Sequence, residues 1–255
     1  MTIHFLNCFS WSARVPGHWR TGALCLLVEA GGGLVLVDTG LGREDYVRPP
    51  AILRAFRVAT KAAMNPEETA VHQVKRLGYH REDVRDIVLT HLHFDHSGGL
   101  PDFPHAVVHV HRREYDAFAR GHGGLSGLGY ERRHAAHGPE FVLYDGADET
   151  WFDFPAIRMP FEPEMWLVEL FGHTAGHCGV AIKTEGGWLF NVGSAAPVGF
   201  TNEVPPWLTR LMVGPHEPRL RAFRAAHPEI LMITGHMWFN FFHQLVNHPV
   251  CVGPR

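Results

Sequence analysis

Apolar positions along this chain follow two grammars. "ALCLLVEAGGGLVLVDTG" (23–40) holds two nearly continuous apolar runs on either side of a glycine turn. Short apolar runs bounded by turn signals predict buried strands, and glycine accepts the positive φ of a tight hairpin. "VAIKTEGGWLFNVG" (180–193) repeats the grammar, with Gly186 and Gly187 at the turn. One such hairpin in each half hints at an internal duplication.

Helical periods lie between and after them. "NPEETAVHQVKRLGY" (65–79) offers Asn65 as N-cap, Pro66 at the first helical position and acids in the first turn. Ala70, Val71, Val74 and Leu77 then recur at helical spacing. "HEPRLRAFRAAHPEI" (216–230) predicts a helix with Leu220 and Phe223 inward and Arg219, Arg221 and Arg224 outward. "DIVLTH" (86–91), "HAVVHVH" (105–111) and "ILMITGH" (230–236) predict short strands, the last ending in His236. His105, His109 and His111 share one face of theirs, which reads as a half-exposed polar face. Strand, helix and hairpin mix throughout, so the class is α/β or α+β, with sheets covered by helices in one domain, 1–255. Residues 40–64 carry mixed polarity. Residues 120–140 are glycine-rich and polar, and predict either a lid or a plain surface loop.

Composition narrows the function. A chain of 255 residues, 45% hydrophobic, can bury one large core. The net charge is -3 and no Lys/Arg block stands out, which argues against a nucleic-acid partner. No apolar stretch approaches the ~18 residues of a membrane span. "MTIHFLNCFS" lacks the pattern of a signal peptide. The expectation is a soluble cytoplasmic protein, monomer or homodimer, that acts on a small molecule. Cys8, Cys25, Cys178 and Cys251 lie far apart without a C-x-x-C pair, and Cys25 reads as a small buried apolar residue. Histidine is the outlier, with 20 residues against 23 Lys and Arg together.

Three of these histidines crowd into "LTHLHFDHSGG" (89–99) as His91-x-His93-x-Asp95-His96. The cluster follows the apolar "DIVL", so it projects from a strand end. Residues two apart in an extended segment point the same way, so His91 and His93 can reach one ion together. Asp95 and His96 come after the chain turns and can address a second. Gly98 and Gly99 permit the tight path. Imidazole with carboxylate suits zinc, and also manganese, iron or cobalt. A histidine-rich polar loop is the plainer alternative, and the spacing argues against it. Four residues cannot close two sites, so further ligands must come from other strand ends. "GHTAGH" (172–177) offers His173 to the first ion. His177 fits better as a neighbour that supports the ligands. "ITGH" (233–236) offers His236 to join Asp95 and His96.

"THLHFDHSGG", "GHTAGH" and "ITGH", in that order, resemble the metallo-β-lactamase superfamily, and the resemblance covers essentially the whole chain. It implies a four-layer αβ/βα sandwich with metals at one edge. "LVDTG" (36–40) resembles the family's early aspartate motif, which makes Asp38 a residue that orients a metal ligand. "GGWLFNVGSAAP" with "PRLRAFRAAHPEILMITGH" is most similar to the branch of N-acyl-homoserine lactonases and related small metallohydrolases. The resemblance implies one or two Zn²⁺ per chain. A metal-bound hydroxide would attack the carbonyl of a lactone, ester or thioester, with Asp95 as proton carrier. One fold carries many chemistries, so it does not name the substrate.

Two departures stand out. The family ends the strand after the glycine turn in Gly-Asp, and that aspartate bridges both metals. Here the residues are Gly193-Ser194. Two dications ~4 Å apart repel by roughly 16 kcal/mol at an effective dielectric of ~20. Losing the shared carboxylate should therefore make the two sites unequal. His91, His93 and His173 remain as a three-imidazole set, and Asp95, His96 and His236 as a second. The lactonases also carry a tyrosine shortly after that aspartate, and "SAAPVGF" has none. The missing aspartate equally counts against a mononuclear iron dioxygenase of this superfamily. No G-x-S-x-G elbow suggests a serine hydrolase. The aromatic run "MWFNFF" (237–242), with Trp238 and Phe239, and Trp207 in "VPPWL" fit either core packing or an apolar wall for substrate. The alternative to a hydrolase is a degenerate member that binds metal with little or no turnover.

Overall fold

The computed structural model describes residues 1–12, 20–121, 126–196, 200 and 206–238. Among the described residues, thirteen strands form two sheets. The first contains β1 (Ile3–Ser12), β2 (Arg20–Ala30), β3 (Gly33–Val37), β4 (Val84–Val88), β5 (Val107–His111) and β6 (Phe141–Tyr144), in that spatial order. The second contains β7 (Glu149–Trp151), β8 (Phe154–Met159), β9 (Met165–Glu169), β10 (Cys178–Thr184), β11 (Gly187–Asn191) and β12 (Leu231–Ile233). A final strand, β13 (His236–Trp238), returns to the first sheet and pairs with β2. The two glycine hairpins are β2–β3 and β10–β11, one in each sheet.

Both faces of each sheet are covered, which is why the strands read as apolar runs rather than alternations. On β2, Leu24, Leu26 and Val28 point between the sheets and meet Leu167, Val180, Ile182 and Ile233. Cys25 and Leu27 point the other way, into a layer containing Ala70 and Val74 of α3 (Ala70–Arg76) and Phe118 of α5 (Arg112–Arg120). On the far side of the second sheet, Leu220 and Phe223 of α7 (Glu217–Ala226) pack against Trp151, Phe154 and Phe190. The order is helix, sheet, sheet, helix, the αβ/βα sandwich expected from the sequence. The mixed segment after residue 40 forms α1 (Arg43–Val47) and α2 (Ala51–Ala59).

Three local expectations are corrected. The helix predicted from Pro66 breaks: Pro66–Glu68 forms a 3-10 turn capped by Asn65, and Thr69 adopts extended angles before α3 begins. His109 and His111 are not on a half-exposed face. They are buried because each finds a partner between the sheets: His109 bridges Asp86 at 2.9 Å and the Tyr144 hydroxyl at 3.0 Å, and His111 lies 3.3 Å from Glu169. Only His105, which precedes the strand, is exposed. His236 does not end the last strand of its sheet. The chain leaves β12 after Ile233 and crosses at Gly235, and His236 opens β13 opposite Ala23.

Candidate metal centre

The loops after β3, β4, β9, β11 and β12 converge at one edge of the sandwich. Strand β4 stops at Val88, so His91 and His93 stand in the loop, and Asp95 and His96 lie in the first turn of the four-residue helix α4 (Phe94–Ser97). The ligand atoms of His91, His93 and His173 lie within 4.8 Å of one another, as do those of Asp95, His96 and His236. The two sets abut, with the His91 and His96 rings 4.1 Å apart. All six residues expected from the sequence are therefore gathered in two groups of three.

Hydrogen bonds fix which nitrogen three of the five rings present. The Thr90 hydroxyl donates to Asp38 at 2.8 Å, so it accepts from His91 Nδ1–H at 3.0 Å. That leaves His91 Nε2 as a buried lone pair with no partner in the protein. His173 Nδ1 donates to the Met212 carbonyl at 2.6 Å, which turns its Nε2 toward His93 Nδ1 at 3.2 Å. His96 Nδ1 donates to Asp38 at 2.9 Å, which turns its Nε2 toward His236 Nε2 at 3.4 Å. Asp95 Oδ2 lies 3.7 Å from His236 Nε2 and 3.9 Å from His96 Nε2. Imidazole nitrogens and a carboxylate gathered this closely in two groups of three fit divalent metal ions.

Electrostatics agree with that fit. Burial holds the imidazole of His91 well below its usual pKa and those of His173 and His236 at about 4, so they are neutral donors at pH 7. Burial opposes ionisation of Asp95, but the imidazoles of His96, His236 and His93 outweigh it and hold the carboxyl below its usual range. Burial also disfavours charge on His96, where Asp38 and Asp95 prevail and raise its pKa.

Asp38 is fully buried and sits at φ 56°, a left-handed conformation that Asp tolerates better than most residues. Its carboxylate accepts the Thr90 N–H and hydroxyl as well as His96 Nδ1–H, which ties the ends of β3 and β4 to a ligand ring. His177 has both nitrogens engaged: Nδ1 donates to the Leu170 carbonyl at 3.1 Å and Nε2 accepts from the Ser194 N–H at 2.9 Å. It therefore holds the Gly193–Ser194 turn. Gly193, at φ 57°, must be small there, because a Cβ would come within 2.6 Å of His177 Nε2. Ser194 itself is buried, and its Oγ has no hydrogen-bond partner.

The described part of the glycine-rich segment is fastened down. Gly129 lies flat on the His93 imidazole, where a Cβ would meet the ring at 2.5 Å, and the Tyr130 ring packs 5.4 Å from it. His134 is buried between Ser97 at 3.1 Å and Asp45 at 3.0 Å. Residues 126–135 thus form a fixed wall beside His93. Trp207, on α6 (Pro206–Val213), is 70% exposed, with Leu211 and Met212 also exposed beside it. The Trp238 side chain and all of Phe239 lie outside the described residues.

Sequence reasoning missed Glu114. It is fully buried on α5, and burial pushes its carboxyl up against the hydrogen bonds that favour ionisation. An acid in the first turn of an amphipathic helix carries no signal that marks it for burial.

A helix-covered double sheet with two imidazole-rich clusters at one edge defines a class of metal-binding αβ/βα proteins. Residues 19–225 match the model of the metallo-beta-lactamase superfamily, and the chain belongs to that superfamily. It is 38% identical over 198 residues to a probable metallo-hydrolase of Mycobacterium bovis, covering 76% of this chain and 62% of the relative. The chain thus spans less than two thirds of that relative's length. An N-acyl homoserine lactonase of Bacillus thuringiensis is 30% identical over 200 residues, 76% of this chain and 73% of the lactonase. Among solved structures, an N-acyl homoserine lactone hydrolase with the product N-hexanoyl-L-homoserine at its catalytic metal centre superposes with a TM-score of 0.68. It is 23% identical and covers 95% of each chain, which confirms the fold.

Proposed function

We propose that this protein is a metal-dependent hydrolase acting on a carbonyl compound, a lactone, ester or thioester with an apolar portion. The observation that carries the reading is the pair of half-buried clusters, with the His96 and His173 rings turned inward by bonds on their far sides. His91, His93 and His173 would hold one divalent cation, and Asp95, His96 and His236 a second. A bound divalent cation supplies a water of lowered pKa and polarises a carbonyl oxygen.

The chain's own groups do the rest. The Asp95 carboxylate is ionised at neutral pH and nearly buried, so it can accept a proton from the attacking water and return it to the leaving oxygen. An aromatic wall stands beside the second set: Trp11 packs edge-on to His236 at 5.0 Å, and Phe56 touches both Trp11 and Phe94. Trp207, Leu211 and Met212 expose apolar surface on the helix whose end carries the carbonyl bonded to His173. Both surfaces favour an acyl or otherwise apolar substrate.

Ser194 supports a second reading, a degenerate member that binds metal with little turnover, because a neutral hydroxyl stands where the family has its bridging carboxylate. A hydrolysis panel of lactones, esters, thioesters and β-lactams separates the two. Turnover abolished by chelation and restored by zinc, manganese or cobalt supports the hydrolase. Tight metal binding with no turnover across the panel favours the degenerate reading.

A further inference from the structure

Glu114 lies in the first turn of α5, where an acid usually faces water or caps its own helix. It does neither. The N-cap of α5 is His111, whose Nδ1 accepts from the Arg113 N–H, while the Glu114 side chain is fully buried and turned away. Its Oε1 accepts the Leu92 N–H at 2.9 Å. Its Oε2 accepts the Thr174 hydroxyl at 2.6 Å and the Gly176 N–H at 3.0 Å. Gly176 sits directly on the backbone of Glu114, and a Cβ at 176 would collide with the Glu114 nitrogen.

These partners belong to two loops from different sheets. Leu92 lies between His91 and His93, in the loop after β4. Thr174 and Gly176 lie between His173 and His177, in the loop joining β9 to β10. The three imidazoles of the first set therefore come from the two loops that this one carboxylate joins. We infer that Glu114 is a positioning residue that sets the spacing of His91 and His93 against His173 across the gap between the sheets.

The chemistry of the partners makes the claim sharp. The two backbone N–H partners can only donate and they meet opposite oxygens, so both carboxyl oxygens must accept, while the Thr174 hydroxyl completes the second side. An amide has one acceptor edge. In Glu114→Gln, an oxygen turned to Thr174 and Gly176 leaves the NH₂ facing the Leu92 N–H, and the opposite orientation leaves it facing the Gly176 N–H. One side of the clamp opens while shape and volume are kept. Thr174→Val opens part of it without touching a charge.

The inference rests on the reading of the first set as a metal site, and the test separates the two. Cobalt(II) is titrated into metal-free wild type, E114Q and T174V, with the paramagnetic shifts of His91, His93 and His173 followed apart from those of His96 and His236. Hydrogen exchange is measured on the same proteins without metal. The expected result is a ten- to hundredfold loss of cobalt affinity at the first set in E114Q, a smaller loss in T174V, and no change at the second set. Exchange at the Leu92 and Gly176 amides should quicken at least tenfold, with the sheet amides unchanged. A purely structural role would weaken both sets alike, and that outcome overturns the inference. So do wild-type exchange rates at Leu92 and Gly176 in E114Q. If wild-type protein takes up no cobalt at all, the metal reading fails, and exchange at those two amides still decides whether the clamp exists.

Discussion

Ser194→Asp places a carboxylate where the chain has a buried hydroxyl. Ser194 is 4% exposed, its Oγ is unpartnered, and its N–H is already committed to His177. The same turn lies against Gly235, where an added Cβ would come within 3.2 Å of the His96 ring, so the turn that carries residue 194 adjoins the second ligand set. A unit negative charge ~4 Å from a dication gains roughly 8 kcal/mol at an effective dielectric of ~20. Burying a carboxylate costs several kcal/mol even after relaxation. The difference is on the order of 3 kcal/mol, or about a hundredfold in affinity for the weaker ion. Zinc titrated into metal-free wild type, S194D and S194N, by calorimetry and by elemental analysis after dialysis, measures it. Asparagine has the shape of aspartate without the charge. The expected order is therefore a clear gain toward two ions per chain in S194D and little change in S194N. Unchanged occupancy in a folded S194D refutes the charge argument, and so does a gain in S194N that equals it.

Asp38→Asn keeps a residue that tolerates the left-handed backbone but turns a donor toward Thr90 or His96. It should cost about 1–3 kcal/mol in urea unfolding and ten- to hundredfold in metal affinity at the second set, and affinity equal to wild type would show that Asp38 does not orient His96. In the metal-free protein, His91, His173, His177 and His236 are buried with pKa values below those of the unfolded chain. Between pH ~6.5 and about 4 the unfolded state binds more protons, so stability should fall on acidification through that window. A urea midpoint that is flat or higher at pH 5 than at pH 7 contradicts this. Trp207→Ala should raise KM for long-chain acyl substrates severalfold more than for short-chain ones; equal effects on both would remove Trp207 from the apolar wall.

The ligand residues were legible because metal chemistry uses few residue types and local spacing constrains them. His91, His93, Asp95 and His96 sit within six positions, and His173 and His236 each follow a glycine at the end of an apolar run. What stayed hidden depends on contacts distant in sequence. Glu114 reads as a solvated acid until Leu92, 22 residues away, and Gly176, 62 residues away, turn it into a junction. His109 and His111 look half-exposed because period two cannot reveal that Asp86 and Glu169 wait for them between the sheets. The crossing at Gly235 was equally invisible, since β12 and β13 read as one apolar run.

The two sets rest on parallel supports. Behind the second lies Asp38, fully buried, which touches a ligand ring and the backbone between β3 and β4. Behind the first lies Glu114, also fully buried, which touches no ligand ring but grips the backbone on both sides of the gap. Asp95 adds a third carboxyl, inside the second set alone. Without a carboxylate at 194, the second set keeps one carboxyl within its ligand shell while the first offers imidazoles alone. The inequality expected from Ser194 thus has a direction: the first set, with no carboxylate among its ligands, is the weaker, and the placing of its two loops rests on the Glu114 clamp.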